Sequence, residues 1–217
     1  TGYESYYYGS TPDDAMAEKP QIDRYHSVPC ARIVTSEHLR DLFETRFSQA
    51  TMLVPGWLEP VLGAPRDRVE PGVLGNASVL FVGRPTLQKG FADFTTAIQT
   101  VRRKYPNVTM HLAVPPRTIP SQEKAESMFG GPVVLHAGLS RTEMESLYRS
   151  VDVAVFPSWY EGSALHVLDA MACGCPVIAA DCLGIRGVCK DGENALIVPP
   201  GYPRRLAQAI TRVIEDE

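Results

Sequence analysis

The chain has 217 residues, of which 44% are hydrophobic and 21% are charged, a composition typical of globular domains. A net charge of −4 and an isoelectric point near 5.8 give no reason to expect nucleic acid as a partner. No apolar stretch approaches the roughly 20 residues that cross a bilayer, and no signal peptide is visible, so we expect a cytoplasmic protein.

The first part of the chain gives irregular signals. Residues 1–30 are Tyr-rich without a helical or strand period, and the chain does not start with Met, so we expect it to begin inside a longer gene product. Residues 31–56 predict a strand, a helix capped by Ser36 and another strand, which we interpret as the tail of a second, partial α/β domain. The proline-rich residues 57–73 predict an interdomain linker. The two strands are predicted at residues 31–36 and 51–54.

In residues 74–217, strand and helix signals alternate, which is typical of a parallel sheet covered on both faces. Apolar residues recur at helical spacing over residues 91–101, and Ser140 with Glu143 predicts a capping box at the start of a later helix. The pattern predicts an α/β fold with a Rossmann-like parallel sheet and about five helices on its two faces. Its six strands are predicted at residues 78–83, 108–114, 133–137, 152–156, 176–180 and 195–198.

Neither the cysteines nor the basic run in the chain indicates a binding site. The five cysteines include no CxxC pair and no His at ligand spacing, so we expect no metal site. Reduced, mostly buried thiols fit better. Residues 102–104 (RRK) lie at a predicted helix end, where we expect their cations to be solvated.

The most informative stretch is residues 159–177 (WYEGSALHVLDAMACGCPV), which follows a predicted strand. Gly162 and Ser163 predict a helix start, so free backbone N–H groups and the positive end of the helix dipole would point above the loop. Glu161 lies in that loop, and Asp169 lies about two turns into the predicted helix, so both carboxylates can face one ligand. This arrangement suits a sugar joined to a diphosphate.

A second signal lies in residues 82–90 (VGRPTLQKG), directly after the first strand of the larger part. Arg84 and Lys89 lie at opposite ends of a loop at the carboxyl edge of the predicted sheet, where open α/β sheets bind ligands. Two cations there can straddle a diphosphate. The chain contains no GxGxxG, GxxxxGK[ST], HEXXH or GxSxG pattern, which disfavours dinucleotide enzymes, P-loop ATPases, zinc peptidases and α/β-hydrolases.

Four stretches of the chain resemble the retaining glycosyltransferases of family 4, which have two Rossmann domains in the GT-B arrangement. The stretches are VTSEHLRDLF with VPG after it (34–43 and 54–56), LFVGRPTLQKG (80–90), HAGLSRTEMESLYRSVDVAVFPS (136–158) and EGSALHVLDAMACGCPVIAAD (161–181). The resemblance runs from about residue 31 to the end of the chain. It implies that residues 74–217 form the C-terminal donor-nucleotide domain and that most of the acceptor domain is missing.

The resemblance also implies roles for individual residues. Arg84 and Lys89 match cations that bind the donor diphosphate, and Glu161 matches the acid that contacts hydroxyls of the donor sugar. These three are the expected catalytic residues. Asp169 matches the acid that accepts hydrogen bonds from the ribose diol. The other expected donor contacts are Gly83, His136, Gly138 and Leu139, the last three in the segment that lines the base pocket, and Gly162, Ser163, Ala164 and Leu165, whose backbone would meet the distal phosphate.

The implied chemistry places growing negative charge on a departing nucleotide diphosphate. Arg84, Lys89 and the helix start would stabilise that charge in place of a metal ion, so we expect no cofactor and no metal requirement. Retention in the family is ascribed to attack on the face that the phosphate leaves from, with Glu161 orienting the sugar. Two positions depart from the family: Asp169 stands where Glu is usual, and Gly187 stands where a Glu is common.

The resemblance therefore implies a glycosyltransferase that moves a sugar from a nucleotide-diphosphate sugar to a sugar or lipid-linked glycan acceptor, in glycan or cell-surface polysaccharide synthesis. The chain would be a fragment that binds the donor but transfers slowly or not at all. The longer protein would lie in the cytoplasm, associated peripherally with the inner face of the membrane. Two alternatives stay open: a sugar-nucleotide epimerase of the same architecture and a non-catalytic nucleotide-sugar-binding module. Base, sugar and acceptor are not specified by the residues.

Overall fold

The computed structural model of the chain describes residues 23, 24, 26–55 and 77–215. The predicted linker, residues 57–73, lies wholly outside the described residues, and the predicted Tyr-rich segment, residues 1–30, lies mostly outside them. The boundaries proposed for these two segments therefore stay predictions.

The N-terminal described part is a small α/β unit. Strand β1 (Ile33–Val34) pairs in parallel with β2 (Met52–Leu53), and helix α1 (Glu37–Phe47) connects them. The Ser36 hydroxyl accepts a hydrogen bond from the Leu39 amide at 3.3 Å, which confirms the predicted cap. Both strands are shorter than predicted, because a ladder extends only as far as a partner runs beside it and each strand here has one described partner.

The larger part is built on a parallel sheet of six strands among the described residues, as the sequence predicted. The sheet order is β5-β4-β3-β6-β7-β8. The chain runs outward from β3 to β5 and then returns to place β6 beside β3, which makes the β3–β6 pair the point where the strand order reverses. The strands are β3 (Ser78–Val82), β4 (Thr109–Val114), β5 (Val133–Ala137), β6 (Val153–Phe156), β7 (Val177–Ala180) and β8 (Leu196–Val198).

Helices cover both faces of this sheet. Side chains of β3 alternate between two buried clusters, with Val79 and Phe81 in one and Leu80 and Val82 in the other. The first cluster contains α2, α3 and α6, and the second contains α4 and α5. The predicted α/β fold is confirmed. The helices are α2 (Phe91–Arg102), α3 (Gln122–Phe129), α4 (Arg141–Ser150), α5 (Leu165–Ala172) and α6 (Pro203–Glu215).

Arg102, at the end of α2, is buried, so the prediction of a solvated cation at this position was wrong. Its side chain is 7% exposed and donates hydrogen bonds to the backbone carbonyls of Val108, Phe129 and Pro132. Desolvation lowers the pKa of its guanidinium. The long side chain thus ties the end of α2 to the end of α3 and to the entries of β4 and β5. Arg103 and Lys104 are exposed, as predicted.

All five cysteines are free, with Cys30 exposed and the other four buried. Among the described residues, no helix combines the length and the apolar character that a membrane crossing requires.

Candidate functional site

The candidate site lies where the loops after β3 and β6 meet at the carboxyl edge of the sheet. Gly90, the residue before α2, has a φ of 65°, and a β-carbon built on it would lie 1.9 Å from the carbonyl oxygen of Pro157. Only glycine permits this approach. The Trp159 amide also donates to the Gln88 carbonyl at 2.9 Å. The two loops are therefore fixed against each other by backbone contacts.

This contact brings together Lys89 and Glu161, which the sequence predicted at one site. The Lys89 Nζ donates to the Glu161 Oε1 at 2.6 Å, and the Ser158 hydroxyl donates to the same oxygen at 2.7 Å. The Lys89 and Glu161 side chains are 23% and 15% exposed, and Ser158 is 2% exposed. A mostly buried ion pair therefore lines the site, held by a buried hydroxyl.

The backbone around Glu161 is held from two further sides. The Ser36 hydroxyl, which caps α1, donates to the Gly162 carbonyl at 2.8 Å and so links the N-terminal unit to this loop. On the other side, a β-carbon on Gly184 would lie 2.0 Å from the Glu161 carbonyl oxygen. The loop after β7 thus packs directly on the Glu161 backbone, and glycine is needed there for the same steric reason as at Gly90.

Helix α5 begins at Leu165, three residues later than the predicted start at Gly162. Ala164 precedes the helix with φ −89° and ψ 40°, and no side chain among the described residues caps the first turn. The amides of that turn therefore keep free N–H groups and the positive end of the dipole. The later start also changes the predicted position of Asp169 along the helix, which is about one turn after the start of α5 rather than two.

These elements enclose a cleft of about 590 Å³. Seven of the predicted donor-site residues line it: Gly83, Arg84, Lys89, Glu161, Gly162, Ser163 and Leu165. Arg84 is exposed, and no hydrogen bond or ion pair joins its guanidinium to a described residue, so this group is open to a ligand. The structure thus brings together the two cations, the first acid and the helix start.

Five other predicted residues do not line this cleft. Asp169 is half-buried on α5. Burial raises the pKa of the Tyr148 phenol, and the nearby charge of Asp169 raises it further. Ala164 lines a second cavity. The predicted base-pocket residues, His136, Gly138 and Leu139, lie at the end of β5 and in the loop after it.

His136 forms a stacked pair with His111 of β4. The ring centroids are 5.3 Å apart, the planes are inclined by 16°, and the His111 Nδ1 lies 3.1 Å from the His136 Nε2. Burial lowers the pKa of both rings, and for His111 the neighbouring His136 lowers it further while Asp152 opposes the shift. Both rings are therefore favoured in the neutral form.

The sequence analysis missed His166, which lines the cleft one residue into α5. The residue is exposed at the surface, but the surrounding protein desolvates its ring and so lowers its pKa, and the charge of Lys89 lowers that pKa further. His166 lies three residues before Asp169, so helical spacing places both on one face of α5. A helix start predicted at Leu165 would have identified it. Other lining residues not predicted are Thr35, Leu39, Gln88, Pro115 and Tyr160.

The second cavity, of about 490 Å³, shares Thr35, Ser163 and Leu165 with the cleft and extends between α1 and the loop after β7. Gly187, which stands where the resemblance implies a Glu, lines it, and a β-carbon there would meet no atom within 4 Å. Arg186, next to it, forms a bidentate ion pair with Asp181 at 2.7 and 3.1 Å. Among the described residues, no three His, Cys, Asp or Glu side chains are grouped in a way that could hold a metal ion.

Comparison with solved structures finds the same fold in other proteins. The structure of sucrose-phosphate synthase from Thermosynechococcus elongatus matches with a TM-score of 0.76 and 23% identity, covering 99% of this chain and 57% of that one. The C-terminal domain of the glycosyl transferase group 1 protein LpcC from Francisella tularensis matches with a TM-score of 0.58 and 24% identity, covering 70% of this chain and 85% of that domain. At these identities the likeness concerns the fold alone.

Sequence comparison finds curated relatives with the same segment. A D-inositol 3-phosphate glycosyltransferase of Paenarthrobacter aurescens is 29% identical over 144 residues, and a glycogen synthase of Mycobacterium tuberculosis is 30% identical over 146 residues. These matches cover 64% and 65% of this chain and 35% of each relative, so the match spans about a third of the length of either relative. Residues 76–216, which include the whole of the described larger part, match the family described as Glycosyl transferases group 1. The chain belongs to the group 1 glycosyl transferases.

Proposed function

We propose that this chain is the donor-binding part of a retaining glycosyltransferase that moves a sugar from a nucleotide-diphosphate sugar to a glycan acceptor. The observation that carries the proposal is the convergence of Arg84, Lys89 and the uncapped start of α5 on one cleft, with the Glu161 carboxylate beside them. Three positive elements and one acid suit a diphosphate joined to a polyol. Two structural neighbours agree with this ligand class: TarM of S. aureus was solved with UDP and pneumococcal GtfA with UDP and GlcNAc.

The cations act on the leaving group. When the bond between sugar and phosphate breaks, negative charge grows on the nucleotide diphosphate, and Arg84 and Lys89 stabilise it together with the N–H groups of α5. This arrangement supplies the positive charge from the protein, so we propose that transfer requires no divalent cation. Arg84 offers a fixed fork of donors, and Lys89, at the other end of the same loop, offers a mobile point charge.

The acids and the base-pocket residues act on the rest of the donor. Glu161 orients the sugar through its hydroxyl groups, and the acceptor attacks on the face from which the phosphate leaves, with the phosphate taking the proton of the acceptor hydroxyl. Asp169 remains the proposed partner of the ribose diol, and residues 136–139 remain the proposed partners of the nucleotide base. The acceptor is a sugar or a lipid-linked glycan bound largely by parts of the longer protein, which we place in the cytoplasm at the inner face of the membrane.

Calorimetric titration of the chain with UDP, GDP, ADP and dTDP tests the proposal. At least one nucleotide diphosphate is expected to bind, and Arg84→Ala or Lys89→Ala is expected to weaken it by about tenfold or more, since a hydrogen bond to a charged group contributes roughly 1.5–3 kcal/mol. Arg117→Ala, which removes an exposed cation from the loop after β4, serves as the control. Failure of all four ligands to bind, or unchanged affinity in both site variants, would contradict the diphosphate site.

A further inference from the structure

We infer that Glu161 competes with the diphosphate for Lys89, so that the cleft holds a free nucleotide diphosphate more weakly than its cations alone would allow. The inference rests on the proposed function and adds a role for Glu161 besides contact with the sugar.

The competition follows because the Lys89 ammonium group is already bound to one oxygen of the Glu161 carboxylate. The Glu161 Oε1 receives both Lys89 at 2.6 Å and Ser158 at 2.7 Å, while Oε2 makes no hydrogen bond with a described residue. Both members of the ion pair are mostly buried, so water screens their attraction only in part. A phosphate that approaches Lys89 must therefore displace the carboxylate or lie beside it.

The backbone cannot relieve this competition by withdrawing. Gly184 packs against the Glu161 carbonyl, Ser36 binds the Gly162 carbonyl, and Gly90 packs against Pro157 on the Lys89 side. Close packing of this kind permits side-chain rotation more readily than backbone displacement. The response to a phosphate is thus a rotation of the Lys89 or Glu161 side chain, during which Ser158 can keep its hydrogen bond.

The two forms of ligand differ in what they offer the displaced carboxylate. A nucleotide diphosphate ends in a phosphate and has no sugar hydroxyl to offer Glu161, so Glu161 loses its cation and gains a nearby anion. A nucleotide sugar also brings hydroxyl donors, which can replace Lys89 as partners of Glu161. Glu161 therefore weakens binding of the nucleotide diphosphate relative to binding of the intact donor. Because the nucleotide diphosphate is a product of transfer, this difference assists its release.

The test is a double-mutant cycle on the binding of the nucleotide diphosphate chosen from UDP, GDP, ADP and dTDP. Glu161→Gln keeps the shape and the hydrogen bond from Ser158 but removes the charge. It is expected to tighten binding by about tenfold, which corresponds to ~1.4 kcal/mol. In the Lys89→Met background the same substitution is expected to give a clearly smaller gain, because the contested ammonium group is gone and only the repulsion between the carboxylate and the phosphate remains.

Two further variants support the test, and the first separates direct competition for Lys89 from the effect of removing any nearby negative charge. Asp181→Asn removes a carboxylate that is paired with Arg186 on the neighbouring loop, and it is expected to change affinity much less than Glu161→Gln does. Glu161→Met provides a second uncharged variant should Glu161→Gln fold poorly. Unchanged or weaker binding in the uncharged variants, or an equal gain in the Lys89→Met background, would overturn the inference while leaving the diphosphate site intact. Absence of binding in every protein would instead contradict the proposed function itself.

Discussion

Gly90 and Pro157 lie so close that a single methyl group on Gly90 could not fit between them. Gly90→Ala is therefore expected to lower the free energy of unfolding by about 2 to 4 kcal/mol, through both the left-handed backbone and the clash with a carbonyl. Urea denaturation measures this change. Gly192→Ala is the matched control, because Gly192 has a φ of 72° but nothing within 4 Å of the added carbon. It should cost about 1 to 2 kcal/mol, and an equal cost at both positions would contradict the steric argument.

Arg102 is expected to contribute far more to stability than its neighbour Arg103. Arg102→Met keeps most of the buried stem but removes the Arg102 donors to the carbonyls of Val108 and Phe129, whereas the Pro132 carbonyl keeps the Met110 amide as a donor. Because each buried unsatisfied group costs about 1 to 3 kcal/mol, we expect a loss of about 3 kcal/mol or more in chemical denaturation. Arg103→Met, at an exposed position, should change stability by less than about 0.5 kcal/mol. A loss of similar size in both variants would refute this role.

The stacked pair of His111 and His136 is expected to make the fold less stable in mild acid. Burial lowers both pKa values below the value of 6.5 for a free histidine. As pH falls through 6.5 the unfolded chain takes up protons that the folded chain refuses, so stability present at neutral pH is progressively lost. Each ring contributes a slope of at most about 1.4 kcal/mol per pH unit.

Thermal or urea unfolding between pH 8 and pH 5.5 measures this dependence. The double variant His111→Gln with His136→Gln should show a flatter profile than the wild type over that range. The pKa values of His38 and His166 are also lowered by desolvation, so these two residues account for the pH dependence of stability that remains in the double variant. A profile as steep in the double variant as in the wild type would show that the pair does not carry the effect.

Ser36 is expected to stabilise the N-terminal unit by more than a helix cap alone. Ser36→Ala removes the cap of α1 and the hydrogen bond to the Gly162 carbonyl, whereas Ser121→Ala removes only the cap of α3. A cap contributes about 1 kcal/mol, and a second hydrogen bond adds about another. Amide hydrogen exchange of each helix measures both losses. A smaller effect on α1 than on α3 would argue against the link between the two parts.

Local signals predicted most of the fold because their causes lie within a few residues. The capping box of Ser140 and Glu143 forms as predicted, with the Glu143 carboxylate receiving the Ser140 amide at 2.7 Å. The strands of the larger sheet were found from their continuous apolar runs, since burial on both faces requires such runs. Lys89 and Glu161 were assigned to one edge because carboxyl ends of parallel strands meet there.

Features that depend on distant partners were not predicted. The burial of Arg102 requires carbonyls from three other segments, none of which its own sequence neighbourhood indicates. The start of α5 at Leu165 depends on the contacts of Glu161 and Gly162 with Gly184 and Ser36, which hold the preceding loop out of helical geometry. The sequence analysis assigned no role to Ser158, and only the folded loop shows its hydrogen bond to Glu161.

The adjacency of β3 and β6 sets the order in which the site can form during folding. Lys89 and Glu161 are 72 residues apart in the chain, and the intervening segment adds β4, β5 and three helices before the chain returns. Closing so long a loop is entropically costly and is compensated only when the central strands pair. The ability to bind nucleotide should therefore appear late in refolding, and its appearance reports that β3 and β6 have paired.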